Sequence, residues 1–234
     1  MKKLIRSLKA RARKLVNAKT VKIDGIRLIS DERRVPAYLR RLMFKDVYED
    51  TERNLLLKTV TPHSVVVELG TGMGFISMLA AKICGEKRVF TYEANPLVEP
   101  IIRENYALND IHPHLTMKAV TKDGRDLEFH AAENIISSSA FERDTPSKRF
   151  NVSSIAFNTV LELRSPDILI IDVEGAEHEL LVGANMHTVR DIIVELHPHI
   201  IGEDKVEQVS AFLIAQGFSK NAVDRKTAHF SRSL

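Results

Sequence analysis

Val66-Val67-Glu68-Leu69-Gly70-Thr71-Gly72-Met73-Gly74 is the stretch that decides how this 234-residue chain folds. Its first half is a short β-branched run of the kind buried on both faces of a sheet. Its second half places three glycines in five residues. Glycine lets a chain turn sharply off a strand and lets a ligand come close to the backbone. Residues 75–83 follow as an apolar run that ends at Gly85, the pattern of a helix closed by glycine. Strand, glycine turn and helix make the first unit of a nucleotide-binding α/β fold. The spacing is G-x-G-x-G. The dinucleotide fingerprint G-x-G-x-x-G requires glycine where Phe75 stands, which argues against NAD.

The same alternation continues outward. Residues 88–92, 114–120, 167–171 and 191–196 are apolar strand runs. Asn95-Pro96 opens a helix to about residue 109, with Asn as N-cap and Pro at the first helical position. Residues 177–181 and 205–216 read as further helices, and residues 218–230 as an antiparallel hairpin. Residues 125–130 and 151–155 read as added strand pieces around a polar stretch, 137–149, where substrate determinants are expected. Together these predict an α/β fold: a Rossmann-like three-layer α/β/α sandwich with a mixed seven-strand sheet and an antiparallel C-terminal hairpin.

Upstream, Val21, Ile23, Ile26 and Leu28 alternate around Asp24-Gly25, a hairpin with a two-residue turn. Residues 33–60 read as helical. The expected organisation is residues 1–60 as basic helix, hairpin and helical cap, and residues 61–234 as the cofactor domain. The first 19 residues carry Lys2, Lys3, Arg6, Lys9, Arg11, Arg13, Lys14 and Lys19 and no acid, although the chain's net charge is only +3. Leu4, Leu8, Ala12, Leu15 and Val16 recur there at helical spacing. Such a helix either meets an anionic surface, RNA or membrane, or packs its apolar stripe on the domain and leaves its charges in water. No apolar stretch approaches the roughly 20 residues of a membrane span. No apolar segment of signal-peptide type follows the basic start, so a cytoplasmic location is expected. The single cysteine, Cys84, excludes an internal disulfide and reads as buried helix packing.

Ligands of such folds sit beyond the carboxyl ends of the strands. That singles out Glu68, Gly70, Thr71, Gly72 and Gly74 at the first turn. It singles out Glu93, with Ala94, about 20 residues on, where a carboxylate can accept from both ribose hydroxyls of an adenosine. Ala119 and Val120 are placed to flank an adenine. After the fourth strand, Asp172-Val173-Glu174-Gly175-Ala176-Glu177 crowds three acids where a cofactor's reactive end should lie. Carboxylates suit a cationic sulfonium there; Glu174 and Glu177 read equally as acids complementing a helix N-terminus. Glu195 and His197 share a strand face, and His197 is a candidate base or a satisfied strand-end histidine. His197-Pro198-His199 and His112-Pro113-His114 have metal-ligand geometry, but neither brings a spaced third ligand, so no metal is expected.

Together, residues 45–200 resemble the FkbM-type family of class I methyltransferases. The resemblance rests on Val47-Tyr48-Glu49, the glycine turn, Tyr92-Glu93-Ala94-Asn95-Pro96 with Glu104-Asn105 and Leu108-Asn109, and Val194-Glu195-Leu196-His197. It rests most on Ile170-Ile171-Asp172-Val173-Glu174-Gly175-Ala176-Glu177, close to the family's I-D-x-E-G-x-E. The chain departs from the family at Glu68, commonly Asp, and at Gly70-Thr71-Gly72, commonly Gly-Ala-Asn. Asn158-Thr159-Val160-Leu161-Glu162 stands where the family has T-L-D. The resemblance implies S-adenosylmethionine as cofactor and O-methylation of a hydroxyl on a sugar, glycan or polyketide-like small molecule. On that reading the base candidates are Asp172, then His197, then Glu174, with Tyr48, Glu52 and Glu195 near the acceptor. Two other readings stand beside it. One is an RNA methyltransferase gripping phosphate with residues 1–19, supported by Asn95-Pro96, Asn105 and Asn109 but lacking an Asn/Asp-Pro-Pro-aromatic motif. The other is a non-catalytic nucleotide-binding module.

Overall fold

Side chains alternate between the two faces of each core strand, and that alternation builds two hydrophobic layers. The computed structural model describes residues 2–132, 147–224 and 226–233. The chain begins with α1 (Lys2–Leu15), the hairpin β1 (Thr20–Ile23) and β2 (Ile26–Ile29), then α2 (Ala37–Phe44) and α3 (Asp50–Thr59). β3 (Val66–Leu69), α4 (Phe75–Cys84), β4 (Val89–Tyr92), α5 (Glu99–Asn109) and β5 (His114–Thr116) follow. β6 (Ala119–Thr121), β7 (Leu127–Ala132), β8 (Ser147–Val152) and β9 (Ser154–Ala156) lie outside the main sheet. α6 (Phe157–Arg164), β10 (Ile168–Ile171), α7 (Glu177–Leu181) and β11 (Asp191–Glu195) return to it. α8 (Pro198–Ile201), α9 (Glu203–Ala215), β12 (Ser219–Asp224) and β13 (Thr227–Ser231) complete the chain.

The main sheet has seven strands in the order β12-β13-β11-β10-β3-β4-β5. The five strands from β11 to β5 are parallel, and β13 and β12 join antiparallel. This is the mixed seven-strand sheet with a terminal antiparallel hairpin that the sequence predicts. Chain direction across the sheet reverses between β3 and β10, so the crevice at their carboxyl ends is the topological switch point. Val66, Ile168, Ile170 and Ile193 face one layer, shared with α4 and α5. Val67, Leu69, Leu169, Ile171, Ile192 and Val194 face the other, shared with α6, α7 and α9. Burial on both faces is why these strands read as continuous apolar runs rather than alternating ones.

The first layer also contains Val21, Ile23, Ile26, Leu28, Leu39, Met43 and Leu56. Packing is therefore continuous across residue 60, where the sequence divides into two parts. The hairpin turn forms at Asp24-Gly25, both at positive φ, as its type requires. The outer edge of β2 is closed by α5. Asn105 accepts from Ile29 N–H at 2.8 Å, while Asn109 accepts from Arg27 N–H and donates to Arg27 C=O, both at 2.7 Å. Two asparagines one helical turn apart thus stand in for a strand. That gives Asn105 and Asn109 a structural role.

Four expectations change. Residues 33–60 hold two helices, separated by a bend in which Asp46 and Glu49 take left-handed backbone. Residues 114–120 are not one strand: β5 ends at Thr116, and β6 pairs in parallel with β9 outside the main sheet. α6 was not foreseen, although Phe157, Val160 and Leu161 have helical spacing and are buried. The stripe of α1 does not simply turn inward. Ala10 packs on the core, but Leu8 and Leu15 are 55% and 88% exposed. Arg13 docks the helix by donating to the Met43 and Phe44 carbonyls and to Asp46. Strand pieces are expected on either side of residues 137–149; β7 and β8 form there and pair antiparallel, and 137–146 lie outside the described residues. Cys84 is buried. No helix among the described residues is long and apolar enough to cross a membrane.

Candidate functional site

The glycine turn is held open by close approach, not by side chains. Gly70 has φ +91°, and a Cβ there would lie 1.9 Å from the Asp172 carbonyl oxygen. Only glycine lets the ends of β3 and β10 come this close. Beneath the turn, Glu68 is 3% exposed and faces the layer of Val66 and α4. Its Oε2 accepts from Thr91 Oγ1 at 2.6 Å, and Thr91 in turn lies 2.5 Å from Thr71 Oγ1. Burial pushes the Glu68 carboxyl up to about 8, against hydrogen bonds from Thr91 and Ser77. Glu68, Thr71 and Gly74 therefore shape the turn from behind. Gly74 packs against Tyr106. Of the five turn residues predicted to bind cofactor, only Gly70 and Gly72 line the cleft.

That first cleft lies over the switch point. Gly70, Gly72, Glu93, Ala94, Asn95, Ala119, Val120, Leu127, Asp172 and Glu174 all line it. Glu93 Oε2 accepts from Gly72 N–H at 3.0 Å and Oε1 from Asn95 N–H at 2.8 Å. Burial nevertheless raises its carboxyl above the usual range, the backbone bonds opposing. A carboxylate has about four acceptor positions, so Glu93 can still take a ribose diol. Asn95 Oδ1 also caps the following turn through Leu97 N–H at 3.0 Å. Ala94, Ala119, Val120 and Leu127 supply apolar surface suited to an adenine. Although Ala119 and Val120 leave the main sheet, they stand at this cleft as expected.

A second cavity of about 350 Å³ adjoins the first. Gly70, Gly72, Asp172 and Glu174 line both. The second cavity adds Tyr48, Glu49, Asp50, Glu52, Glu195 and Lys226, so carboxylates dominate its charged lining. Tyr48, Glu52 and Glu195 were foreseen; Glu49 was not. Glu49 sits in left-handed backbone at φ +46°, a conformation that local sequence does not announce, and burial drives its carboxyl well above the usual range. Burial and the neighbouring Glu49 carboxyl likewise raise the Tyr48 phenol. Glu52 accepts from Thr227 Oγ1, which ties α3 to β13.

His197 underlies the junction and is 2% exposed. Its Nδ1 donates to Glu177 Oε1 at 2.5 Å, and Glu177 also accepts from Gly175 N–H at 3.0 Å. Its Nε2 faces Glu195 at 3.4 Å, Glu174 at 3.8 Å and Asp172 at 3.9 Å. Burial opposes the charged imidazole, but Glu177, Glu195 and Asp172 outweigh it and raise its pKa to about 10. This favours the protonated imidazole and ranks His197 behind Asp172 as a base candidate. Asp172 differs. Burial and the neighbouring Glu195 and Glu174 charges raise its carboxyl well above the usual range, His197 opposing. Glu174 sits at the rim in left-handed backbone. Glu177 is the first residue of α7, so its helix-terminal reading holds, and it is also a fully buried partner of His197.

The Methyltransferase FkbM domain family matches residues 65–220. The chain belongs to this family of methyltransferases. Its methyl donor is S-adenosylmethionine, and the first cleft fits that molecule: a glycine cradle, a diol-accepting acid, apolar surface and carboxylates at one end. Residues of the chain are also similar to an arginine N(omega)-methyltransferase of Streptomyces achromogenes subsp. streptozoticus. That identity is 37% over 81 residues, 32% of this chain and 21% of that protein. The ribosomal protein L11 methyltransferase of Carboxydothermus hydrogenoformans is 31% identical over 62 residues, 26% of this chain and 20% of that protein. The chain thus spans about a fifth of the length of these curated relatives. Among solved structures, a precorrin-6y C5,15-methyltransferase from Geobacter metallireducens GS-15 aligns with TM-score 0.47 and 15% identity. That alignment covers 90% of this chain and 96% of the other.

Proposed function

We propose that this methyltransferase acts on a hydroxyl of a sugar, glycan or polyketide-like small molecule held in the second cavity. The observation that carries the reading is Asp172. It lines both cavities where they meet, and burial with the neighbouring Glu195 and Glu174 charges makes its carboxyl more basic than usual. Glu93, Gly70 and Gly72 hold the donor, with the sulfonium toward Asp172 and Glu174. The acceptor oxygen bonds to the methyl carbon as the carbon–sulfur bond breaks and sulfur keeps the electron pair. The hydroxyl proton passes to Asp172. Products are a methyl ether and S-adenosylhomocysteine. Tyr48, Glu52 and Glu195 contact the acceptor. Holding donor and acceptor in line supplies up to about 7–11 kcal/mol, and a positioned base about 10²–10⁴-fold more.

A second reading is favoured by charge. Glu49, Asp50, Glu52, Asp172, Glu174 and Glu195 face Lys226 across one cavity, a field that attracts a cationic nitrogen acceptor. The matched stretch of a protein named as an arginine methyltransferase points the same way. The same field repels polyanions, which weighs against RNA as acceptor. The groove between α1 and α2, lined by Arg6, Arg11, Lys14, Arg40, Arg41 and Lys45, supports contact with an anionic surface instead. Labelled-methyl transfer to fractionated extract, with mass spectrometry of the product, tests these readings. A methyl ether supports the first. N-methylated guanidine or amine supports the second and overturns the first.

A further inference from the structure

We infer that the junction of the two cavities is a divalent-cation site, ligated by His197 Nε2, Asp172 and Glu195, with Glu174 at its edge. One ligand atom from each of the first three residues lies within 4.8 Å of the others. Around a cation with bonds of about 2.1 Å, adjacent ligands stand roughly 3.0–3.4 Å apart. Small side-chain movements cover the difference.

Two observations point to a ligand beyond the acidity of the cluster. The first is the mounting of His197. A carboxylate only accepts, so the 2.5 Å bond to Glu177 Oε1 places a proton on Nδ1 and aims Nε2 at the cluster. Glu177 is itself fully buried and held by Gly175 N–H. A buried carboxylate that fixes the far nitrogen of an imidazole is the usual outer support of a metal-bound histidine. The second is Asp172 Oδ1: the side chain is 44% exposed, but this oxygen is shielded from solvent and accepts no hydrogen bond among the described residues. Such an atom is costly.

A proton on Nε2 serves the cluster poorly. Charge-assisted N–H···O bonds run at about 2.7–2.9 Å, whereas the three carboxylates stand 3.4–3.9 Å away. One hydrogen can approach only one of them; a cation placed between them reaches all. One imidazole with hard carboxylate oxygens suits a first-row dication such as Mn²⁺. The third ligand that neither His-x-His pair supplies locally comes from a different strand: Asp172 follows β10, while Glu195 ends β11 and His197 lies just beyond it.

The site itself stands independently of the acceptor's identity. Its role rests on the O-methyl reading: a cation here binds the acceptor oxygen and lowers the pKa of its hydroxyl, and the proton leaves to a carboxylate of the cluster.

The test uses the full chain, freed of metal with chelator and dialysed. MnCl₂ is titrated by calorimetry, and free Mn²⁺ is followed by electron paramagnetic resonance. One saturable site is expected, with Zn²⁺ competing. Glu195→Gln and His197→Gln should each weaken Mn²⁺ binding by at least about tenfold, and Glu177→Gln by about 10–100-fold although it touches no metal. Affinity for S-adenosylhomocysteine and thermal unfolding report whether each variant is folded. Glu195, being partly exposed, decides the matter if the His197 variant fails to fold. Lack of saturable Mn²⁺ binding, or binding that survives Glu195→Gln in a folded variant, overturns the site. Intact Mn²⁺ binding with only N-methylated product leaves the site standing and overturns the acceptor reading alone.

Discussion

The two cavities that meet at Asp172 are built by different means. The donor cleft is assembled mostly from strand ends and the turns that follow them: Gly70 and Gly72 after β3, Glu93 to Asn95 after β4. Its specific groups are backbone N–H donors and one acid that gathers two of them. The acceptor cavity draws on α2, α3, β11 and β13 as well, elements far apart in the chain. Its specific groups are side chains, and most are carboxylates whose properties each neighbour alters. On the proposed reading, preorganised backbone holds the donor, and a cage of side chains from distant segments meets the acceptor.

Substitutions can break or sharpen this contrast. The largest effect is expected for Gly70→Ala, because Gly70 lines both cavities and a Cβ there overlaps the Asp172 carbonyl. Positive-φ strain alone costs about 1–3 kcal/mol, and the overlap adds to it. Chemical denaturation should show the loss, and calorimetry should find no S-adenosylhomocysteine binding. A folded, binding Gly70→Ala protein would refute the close-approach argument.

Asp172→Asn should leave donor affinity within a few-fold and slow single-turnover methyl transfer by about 10²–10⁴. Full rate in that variant removes Asp172 as base and returns the question to the rest of the cage. Glu93→Ala takes a charged acceptor from Gly72 and Asn95, bonds worth about 1.5–3 kcal/mol each. S-adenosylhomocysteine affinity should fall on the order of 10–100-fold, with the acceptor side unaffected; unchanged affinity would break the donor-cleft assignment.

The smallest effect on ligand binding belongs to Glu68→Gln, which lines neither cavity. The folded protein holds the Glu68 proton up to about 8, whereas an unfolded chain releases it near its ordinary value of 4.5. The native state therefore binds more protons between those values, and stability falls as pH rises through that window. Glu68→Gln keeps an acceptor for Thr91 but has no proton to lose. Its melting temperature should depend less on pH between about 4.5 and 8 and exceed the parent's at the upper end. Parallel curves for the two proteins would show that Glu68 is ionised in the fold.

The donor cleft was largely legible because its signals are local. Val66 to Gly74 spells strand and turn in nine residues, and Asn95-Pro96 spells a helix start. What sequence could not separate was which turn residues face the cleft. Glu68 and Gly70 are adjacent in kind but opposite in role, since Glu68 shares a strand face with Val66 and is covered by α4. Strand alternation hints at this, yet only packing shows which face is covered. Glu49 stands in the Val47-Tyr48-Glu49 stretch, but its place at the cavity was hidden because it takes left-handed backbone, against local preference.

Sequence by itself determined the fold class, the methyl donor and the positions of Glu93 and Asp172, because strand runs, glycine turns and strand-end acids act over a few residues. Tertiary structure alone decided the state of His197. Whether it is a base, a cation or a ligand depends on Glu177, Glu195, Asp172 and Glu174. Their charges act across a few ångströms of buried space, and spacing along a chain does not measure that distance.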